Sequence, residues 1–319
     1  MSDSWWATCY ERRGKKPLVP EVYLQKHAGD KTDAEIAETL SAVTGRDVTK
    51  WAVTQKRQML GLNKTRSGQP LFVESTRRRF DNPPTLNTDD VLVLADIHAP
   101  FHDAGWITQV VGLAQAAGIH QCIVAGDLID FQALSGFAPM ILAADDGPLV
   151  VDDEIGAAGE LVSGLLTAFD SVTILLGNHE ERMARRLGQL SVRLFQKLFG
   201  TEGKRATVSE YHYAKVVDSR GEVWRVTHPR NASVIPVRVA ARLTEKYEMN
   251  VIAAHGHDWG EATGASGRYA AACGMAGDPA RIDYTDIADS IRPLMQQGAW
   301  MLLRGAPVLL HPKWRKAQL

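Results

Sequence analysis

The sequence predicts a layered α/β domain with strands buried on both faces, preceded by a small all-α unit. Three observations carry this. After residue 90, short apolar runs ("VLVLAD", "QCIVAGD", "SVTILLGN", "EVWRVTH", "NVIAAHGH") alternate with amphipathic stretches such as "ITQVVGLAQAAG" and "EIGAAGELVSGLLTAF", the rhythm of strands packed between helices. From Glu21 to Leu62 the pattern is helical throughout. Charge divides along the same line: residues 1–81 hold 15 Lys/Arg against 10 Asp/Glu, and the remainder 21 against 27. A basic front and an acidic back point to two jobs, the first with a polyanion in reach.

The elements follow in order. "EVYLQKHAG" is a short amphipathic helix. "KTDAEIAETLSAVTG" has Thr32 three residues before Glu35, a capping box, with Ile36, Leu40 and Val43 on one face and a stop at Gly45. A third helix is expected in "DVTKWAVTQKRQMLGL", with Val53 and Leu60 spaced for the core and Lys50, Lys56 and Arg57 turned to solvent. Residues 67–89, within "SGQPLFVESTRRRFDNPPTLNTDD", are rich in turn formers and read as a linker containing the solvated run Arg77, Arg78, Arg79. The expected boundaries are therefore 1–66, 67–89 and 90–319. Near the end, "GRYAAACGMAGDPARIDYTD" reads as turn-rich, and "GAWMLLRGAPVLLHP" as a hairpin of Ala299 to Leu303 and Pro307 to His311.

Composition sets limits. With 319 residues, 45% hydrophobic and 23% charged, the chain has the usage of a globular protein rather than a disordered or fibrous one. No apolar run approaches the roughly 20 residues of a spanning helix. The start, "MSDSWWATCYERRGKK", lacks the apolar centre of a secretion signal, so the expected location is the cytoplasm, away from membranes. Cys9, Cys122 and Cys273 lie far apart with no paired spacing, and Cys122 reads as a buried, reduced thiol.

All five strands of the second unit end in polar residues of a restricted kind. They deliver Asp96 and His98, then Asp127 and Asp130, Asn178 and His179, His228, and finally His255 and His257. In α/β sheets ligands bind beyond the carboxyl ends of strands, so these residues can converge. Three carboxylates, five imidazoles and one amide are borderline to hard donors, suited to Mn²⁺, Fe or Zn²⁺ and unlike a thiolate site. They exceed the needs of one ion and suit two ions sharing a carboxylate, an arrangement that can clamp a phosphate.

"DIH", "GDLID", "GNHE", the histidine of "VTHP" and "HGH" resemble, in order and spacing, the signature of the calcineurin-like metallophosphoesterases, over about 170 residues. The resemblance implies a metallophosphoesterase β-sandwich flanked by helices and a centre of two divalent ions, with Mn²⁺ favoured and Fe, Zn²⁺ or Ni²⁺ as the other options. It implies that Asp96, His98 and His257 hold one ion, that Asn178, His228 and His255 hold the other, and that Asp127 bridges them beside the attacking water. His179 would protonate the leaving group, oriented by Asp130. Ala254 stands where the family has glycine, and Asp130 is followed by Phe131 and Gln132, unlike the D-R-G of the protein Ser/Thr phosphatases. The carboxy-terminal ending is similar to those of family members that include bacteriophage enzymes.

Weaker expectations complete the set. Arg182, Arg230 and His102 are candidates for contact with substrate phosphate. The amino-terminal helices resemble a helix-turn-helix DNA-binding domain over about 45 residues; the alternative is a helical appendage that packs or dimerises. Joined, the two resemblances imply a phosphodiester substrate, most economically DNA cleaved by a nuclease or phosphodiesterase. A phosphomonoesterase or cyclic-nucleotide phosphodiesterase, and a non-catalytic DNA-binding regulator, are the competing readings. Between the second and third motifs, "FQALSGFAPMILAADDGPLVVDDE" is the expected wall or lid of the site, and its Asp145, Asp146, Asp152, Asp153 and Glu154 would repel a polyanion if they faced the metals.

Overall fold

A computed structural model describes residues 3–12, 15–62, 82–135, 150–188, 191–282 and 294–312. The chain divides into two compact units, Met1–Arg79 and Phe80–Leu319. Arg77, Arg78, Arg79, Asp145 and Asp146 lie outside the described residues.

The first unit contains α1 (Asp3–Trp6), a hairpin of β1 (Tyr10–Arg12) and β2 (Lys15–Leu18), α2 (Pro20–His27), α3 (Asp33–Thr44) and α4 (Lys50–Met59). The hairpin departs from the all-α expectation. The capping box is present: Thr32 Oγ1 accepts from Glu35 N at 3.2 Å, and Glu35 Oε2 accepts from Thr32 N at 2.7 Å. Trp5, Trp6, Leu24, Ile36, Leu40 and Val53 form the core.

One expectation about α4 fails. Lys56 and Arg57 are turned inward, 8% and 3% exposed. Lys56 Nζ lies 2.9 Å from Glu21 Oε2, and Arg57 Nη2 lies 2.7 Å from the buried Asp33 Oδ1. Helical periodicity is the cause. Residues 53, 56, 57 and 60 are spaced i, i+3, i+4, i+7, so a core face that includes Val53 and Leu60 must also carry both cations. Each is buried with a carboxylate opposite. The solvent face of α4 presents Lys50, Trp51, Gln55, Gln58 and Met59 instead.

The second unit is a mixed α/β body with two six-stranded sheets. Its strands are β3 (Thr85–Asn87), β4 (Val91–Leu94), β5 (Gln121–Ala125), β6 (Ser171–Leu175), β7 (Ala206–Ser209), β8 (Tyr213–Val217), β9 (Val223–Thr227), β10 (Asn250–Ala253), β11 (Trp259–Thr263), β12 (Tyr269–Cys273), β13 (Ala299–Leu303) and β14 (Ala306–Leu310). One sheet has the order β14-β13-β4-β5-β6-β7, the other β11-β12-β10-β9-β8-β3. Its helices are α5 (Ala104–Ala116), α6 (Val151–Ala168), α7 (Glu180–Leu187), α8 (Val192–Leu198) and α9 (Arg238–Tyr247).

Strand alternation builds two cores at once. Val91, Val93, Ile123 and Leu175 meet Val216, Trp224, Val226 and Ile252 between the sheets. Leu92, Leu94, Val124 and Ile174, one residue out of phase, pack beneath α5, α6 and α8. Successive side chains point to opposite faces, so strands apolar at every position are covered on both.

Two segments depart from their expected character. Thr85–Asn87 falls inside the anticipated 67–89 linker, yet pairs in parallel with β8 and buries Leu86 against the inter-sheet core. Tyr269–Cys273, expected to be turn-rich, is a strand running Ala270 to Cys273 fully or almost fully buried beside β10. Small side chains there permit close sheet packing, and the indole of Trp300 donates to Ala272 O at 2.9 Å. The carboxy-terminal hairpin forms within a residue of its expected limits.

Candidate metal centre

β4, β5 and β6 are parallel neighbours in one sheet, and β9 and β10 are parallel neighbours in the other. Their carboxyl ends therefore face the same end of the sandwich, and the loops that leave them carry the Asp, Asn and His residues of the five motifs. The two sheets are tied there by a side chain: Asp96 Oδ2 accepts from His255 N at 3.0 Å.

Strain marks the place. Asp96, His98, Asp127, His255 and His257 all have left-handed backbone, with φ between 50° and 74°. A non-glycine residue in this region costs on the order of 1 kcal/mol or more and persists only where surroundings over-determine it. Here each loop is fastened: Asp96 N donates to Gly126 O, His98 N to Asp127 O and Ala254 N to Thr227 O, at 3.2, 3.0 and 2.9 Å.

Three groups of donor atoms lie within 4.8 Å of one another: Asp96, His98 and His257; Asp127, His228 and His255; and His98, Asp127 and His179. His257 Nε2 is 3.2 Å from both Asp96 Oδ1 and His98 Nε2. His228 Nε2 is 2.9 Å from Asn178 Oδ1 and 3.3 Å from Asp127 Oδ2.

The donor set fits divalent cations on two counts. Asp96 Oδ1 and Asp127 Oδ2 are buried yet accept no hydrogen bond of good geometry, although a buried carboxylate oxygen normally has a partner. Two of the imidazoles are also oriented as metal ligands are, with one ring nitrogen held by a fixed acceptor. His98 Nδ1 donates to Asp130 Oδ1 at 2.8 Å and His228 Nδ1 to Ala125 O at 2.9 Å, which turns both Nε2 atoms toward the clusters.

Electrostatics follow from packing carboxylates and imidazoles together. Burial penalises charge on Asp96 and Asp127, but His257 and His228 respectively outweigh it and hold both carboxyls below the usual range. Burial works against His228 as well, yet the charge and hydrogen bond of Asp127 raise it to about 10. His255 is pushed down to about 4 by burial and by His228.

His179 is 3% exposed, and its Nδ1 donates to Asp130 O at 2.7 Å, with Asp130 Oδ1 at 3.0 Å. Asp130 therefore serves two rings, since it also holds His98. Arg182 Nη2 donates to His179 Nε2 at 2.9 Å while its Nη1 donates to Asp130 O at 2.9 Å. Arg230 stands farther out, exposed and paired with Glu181, which also faces His212 Nε2 at 3.0 Å.

His102 is not brought to the centre. It lines a groove of about 470 Å³ between α5 and α6, with Ile107, Val111 and Leu161. The cause is local: Asp103 caps α5 directly after it, accepting from Trp106 N at 2.9 Å, and the helix leads the chain away. Glu154 is also displaced from its expected role. It is fully buried and accepts from Gln132 N at 2.7 Å, while Asp152 and Asp153 remain exposed.

Two contributors escaped the sequence reading. Glu180 accepts from Gly177 N at 2.7 Å and from Asp127 N and Ile129 N at 3.2 Å each, tying the second and third loops together; its signal was the last letter of "GNHE". The glycines of the motifs are the other. A Cβ on Gly177 would fall on Asp127 Oδ1, and one on Gly126, at φ +85°, would sit 2.5 Å from His228 Nδ1.

Comparison with known proteins adds distant likenesses. No family model matches the chain, and no curated protein matches it. Among solved structures it is similar to a novel archaeal phosphodiesterase, at 10% identity and a TM-score of 0.39, over 70% of this chain and 99% of that one. It is also similar to the Pseudomonas putida nuclease MPE, at 13% identity and a TM-score of 0.28, over 69% and 87%. A third is a single mutant of Vps29 from Entamoeba histolytica, at 12% identity and a TM-score of 0.29, over 69% and 97%. No helix among the described residues is long and apolar enough to cross a membrane.

Proposed function

We propose that the chain is a metal-dependent phosphoesterase that cleaves phosphodiester bonds in nucleic acid, a DNA-directed nuclease or phosphodiesterase. The observation that carries this reading is the set of overlapping His/Asp clusters at the strand ends: Asp127 belongs to two of them and His98 links one of these to Asp96 and His257. Asp96, His98 and His257 would hold one divalent ion, and Asn178, His228 and His255 the other, with Asp127 between and Mn²⁺ as the working metal. When bound, such ions activate water and neutralise phosphate oxygens during in-line displacement.

The chain's own groups supply the rest. Asp130 fixes the rings of His98 and His179 through their Nδ1 atoms. With that side of the ring anchored, His179 Nε2 is the atom that delivers a proton to the leaving oxygen. Burial disfavours charge on His179, but Asp127 and Asp130 raise its pKa. Arg182 contacts the same Nε2 and is oriented to transfer its N–H groups to a substrate phosphate, parting from the ring as the ring takes its proton. Arg230, beyond it, would meet a more distant phosphate. In the first unit, Lys50 with Trp51, Gln55 and Gln58 forms the face that a helix-turn-helix module would offer to DNA; Lys56 and Arg57 have no part in it.

Hydrolysis of plasmid DNA, bis-p-nitrophenyl phosphate and p-nitrophenyl phosphate, with Mn²⁺, tests the reading in wild type and His179→Ala. Nicked or linear plasmid that is lost in the variant is the expected result. Release of phosphate from monoesters with no cleavage of DNA or RNA would overturn it in favour of a small-molecule phosphatase.

A further inference from the structure

Helix α7 begins immediately after His179, and its charges are segregated. Arg182, Arg185 and Arg186 are spaced i, i+3, i+4 and so share one face. On the other side Glu180 is buried and Met183 packs against the core beneath the sheet. Arg182 reaches into the centre, whereas Arg185 and Arg186 are exposed and form no ion pair among the described residues; Arg185 Nε donates only to Glu181 O of its own helix. The charge is concentrated locally. Residues 180–205 hold seven Lys/Arg against three Asp/Glu, in a part of the chain that is acidic overall.

We infer that this face of α7 is a track for the phosphate backbone of a single nucleic-acid strand, leading from the His/Asp centre across Arg182 to Arg185 and Arg186. The inference rests on the phosphoesterase reading and deepens it by giving the strand a path over the surface and by naming a single strand as the form bound. On a helix the Cβ atoms of residues three or four apart lie about 5–6 Å from each other, so the guanidinium groups of Arg185 and Arg186 can take phosphates next to the one met by Arg182, each by paired N–H donors. A mononucleotide or phosphomonoester ends at the centre and has nothing to place on the two outer arginines. Asp96, Asp127 and His179 are all 3% exposed or less, and a flexible single strand can bend its backbone toward such buried groups at less cost than a stiff duplex.

The test uses the full chain with Mn²⁺. Binding of a fluorescent single-stranded oligonucleotide is followed by anisotropy over a salt series, in His179→Ala and in His179→Ala carrying Arg185→Ala and Arg186→Ala. Each lost phosphate contact reduces the slope of log affinity against log salt by about 0.7 for single strands, so two contacts lower the slope by about 1.4 and affinity by roughly 25-fold at 0.1 M salt. In the catalytically intact background the same pair of substitutions is expected to lower the ratio of oligonucleotide to bis-p-nitrophenyl phosphate kcat/KM by about tenfold or more. An unchanged slope and ratio would overturn the track while leaving the phosphoesterase reading standing. Wild type that cleaves neither substrate would overturn both.

Discussion

At the residue scale the site depends on atoms that are absent. Gly177 leaves room for Asp127, and a methyl group there would occupy the space of its carboxylate. Gly177→Ala is therefore expected to fold but to lose about 100-fold or more in kcat/KM on bis-p-nitrophenyl phosphate, since displacements near 1 Å cost that much; isothermal titration with Mn²⁺ should show weaker binding. Glu154 gives a second prediction. Burial raises its pKa to about 7 from an ordinary carboxyl value of 4.5. Between those values the folded state holds the proton and the unfolded state does not, so stability falls as pH rises through that window. Glu154→Gln keeps the acceptor for Gln132 N–H and removes the ionisation. Its melting temperature should match wild type near pH 4 and exceed it near pH 8 by the equivalent of about 3 kcal/mol. Which side chains converge at the strand ends was legible because metal and acid–base chemistry draws on few residue types; the left-handed backbone of Asp96 and His257 was not, because φ is set by loop closure between two sheets.

At the scale of elements, local signals were read well where the chain itself supplies the partner. Thr32 and Glu35 cap α3 as their spacing foretold, and the alternation in "VLVLAD" put strand residues into two cores. Signals failed where the partner is distant in sequence. Leu86 looks like part of a linker until β8 lies beside it, and Lys56 looks solvated until Glu21 stands opposite. The α4 result has a measurable consequence. Arg57 is buried against Asp33, and removing one member of such a pair strands the other charge, typically at a cost of about 3–5 kcal/mol. Arg57→Ala should thus shift chemical denaturation of the first unit strongly, whereas Lys50→Ala, at an exposed position, should leave it within about 0.5 kcal/mol. If Arg57→Ala proved stable and merely weakened DNA binding, the inward placement would be wrong.

For the whole molecule, the separation into two units predicts how stability is distributed. The donor clusters belong entirely to Phe80–Leu319, and the first unit has its own core of Trp5, Leu24, Ile36 and Leu40. A ligand that binds only the folded form of one unit stabilises that unit by RT ln(1 + [L]/Kd), about 2.7 kcal/mol at a hundredfold excess over Kd. Calorimetry of the metal-free chain should accordingly resolve two unfolding transitions, of which Mn²⁺ raises one and leaves the other in place. Asp127→Asn should abolish the metal-dependent rise, because the carboxylate proposed to stand between the two ions loses its charge. Metal binding should also release protons, since acidic neighbours hold His228 at a pKa of about 10 and a ligating imidazole must be neutral; the gain in stability from a fixed Mn²⁺ concentration is then larger at pH 8 than at pH 6. A single transition that rises as a whole would mean that the two units unfold as one, and the basic first unit would have to be treated as part of the catalytic body rather than as a separate module.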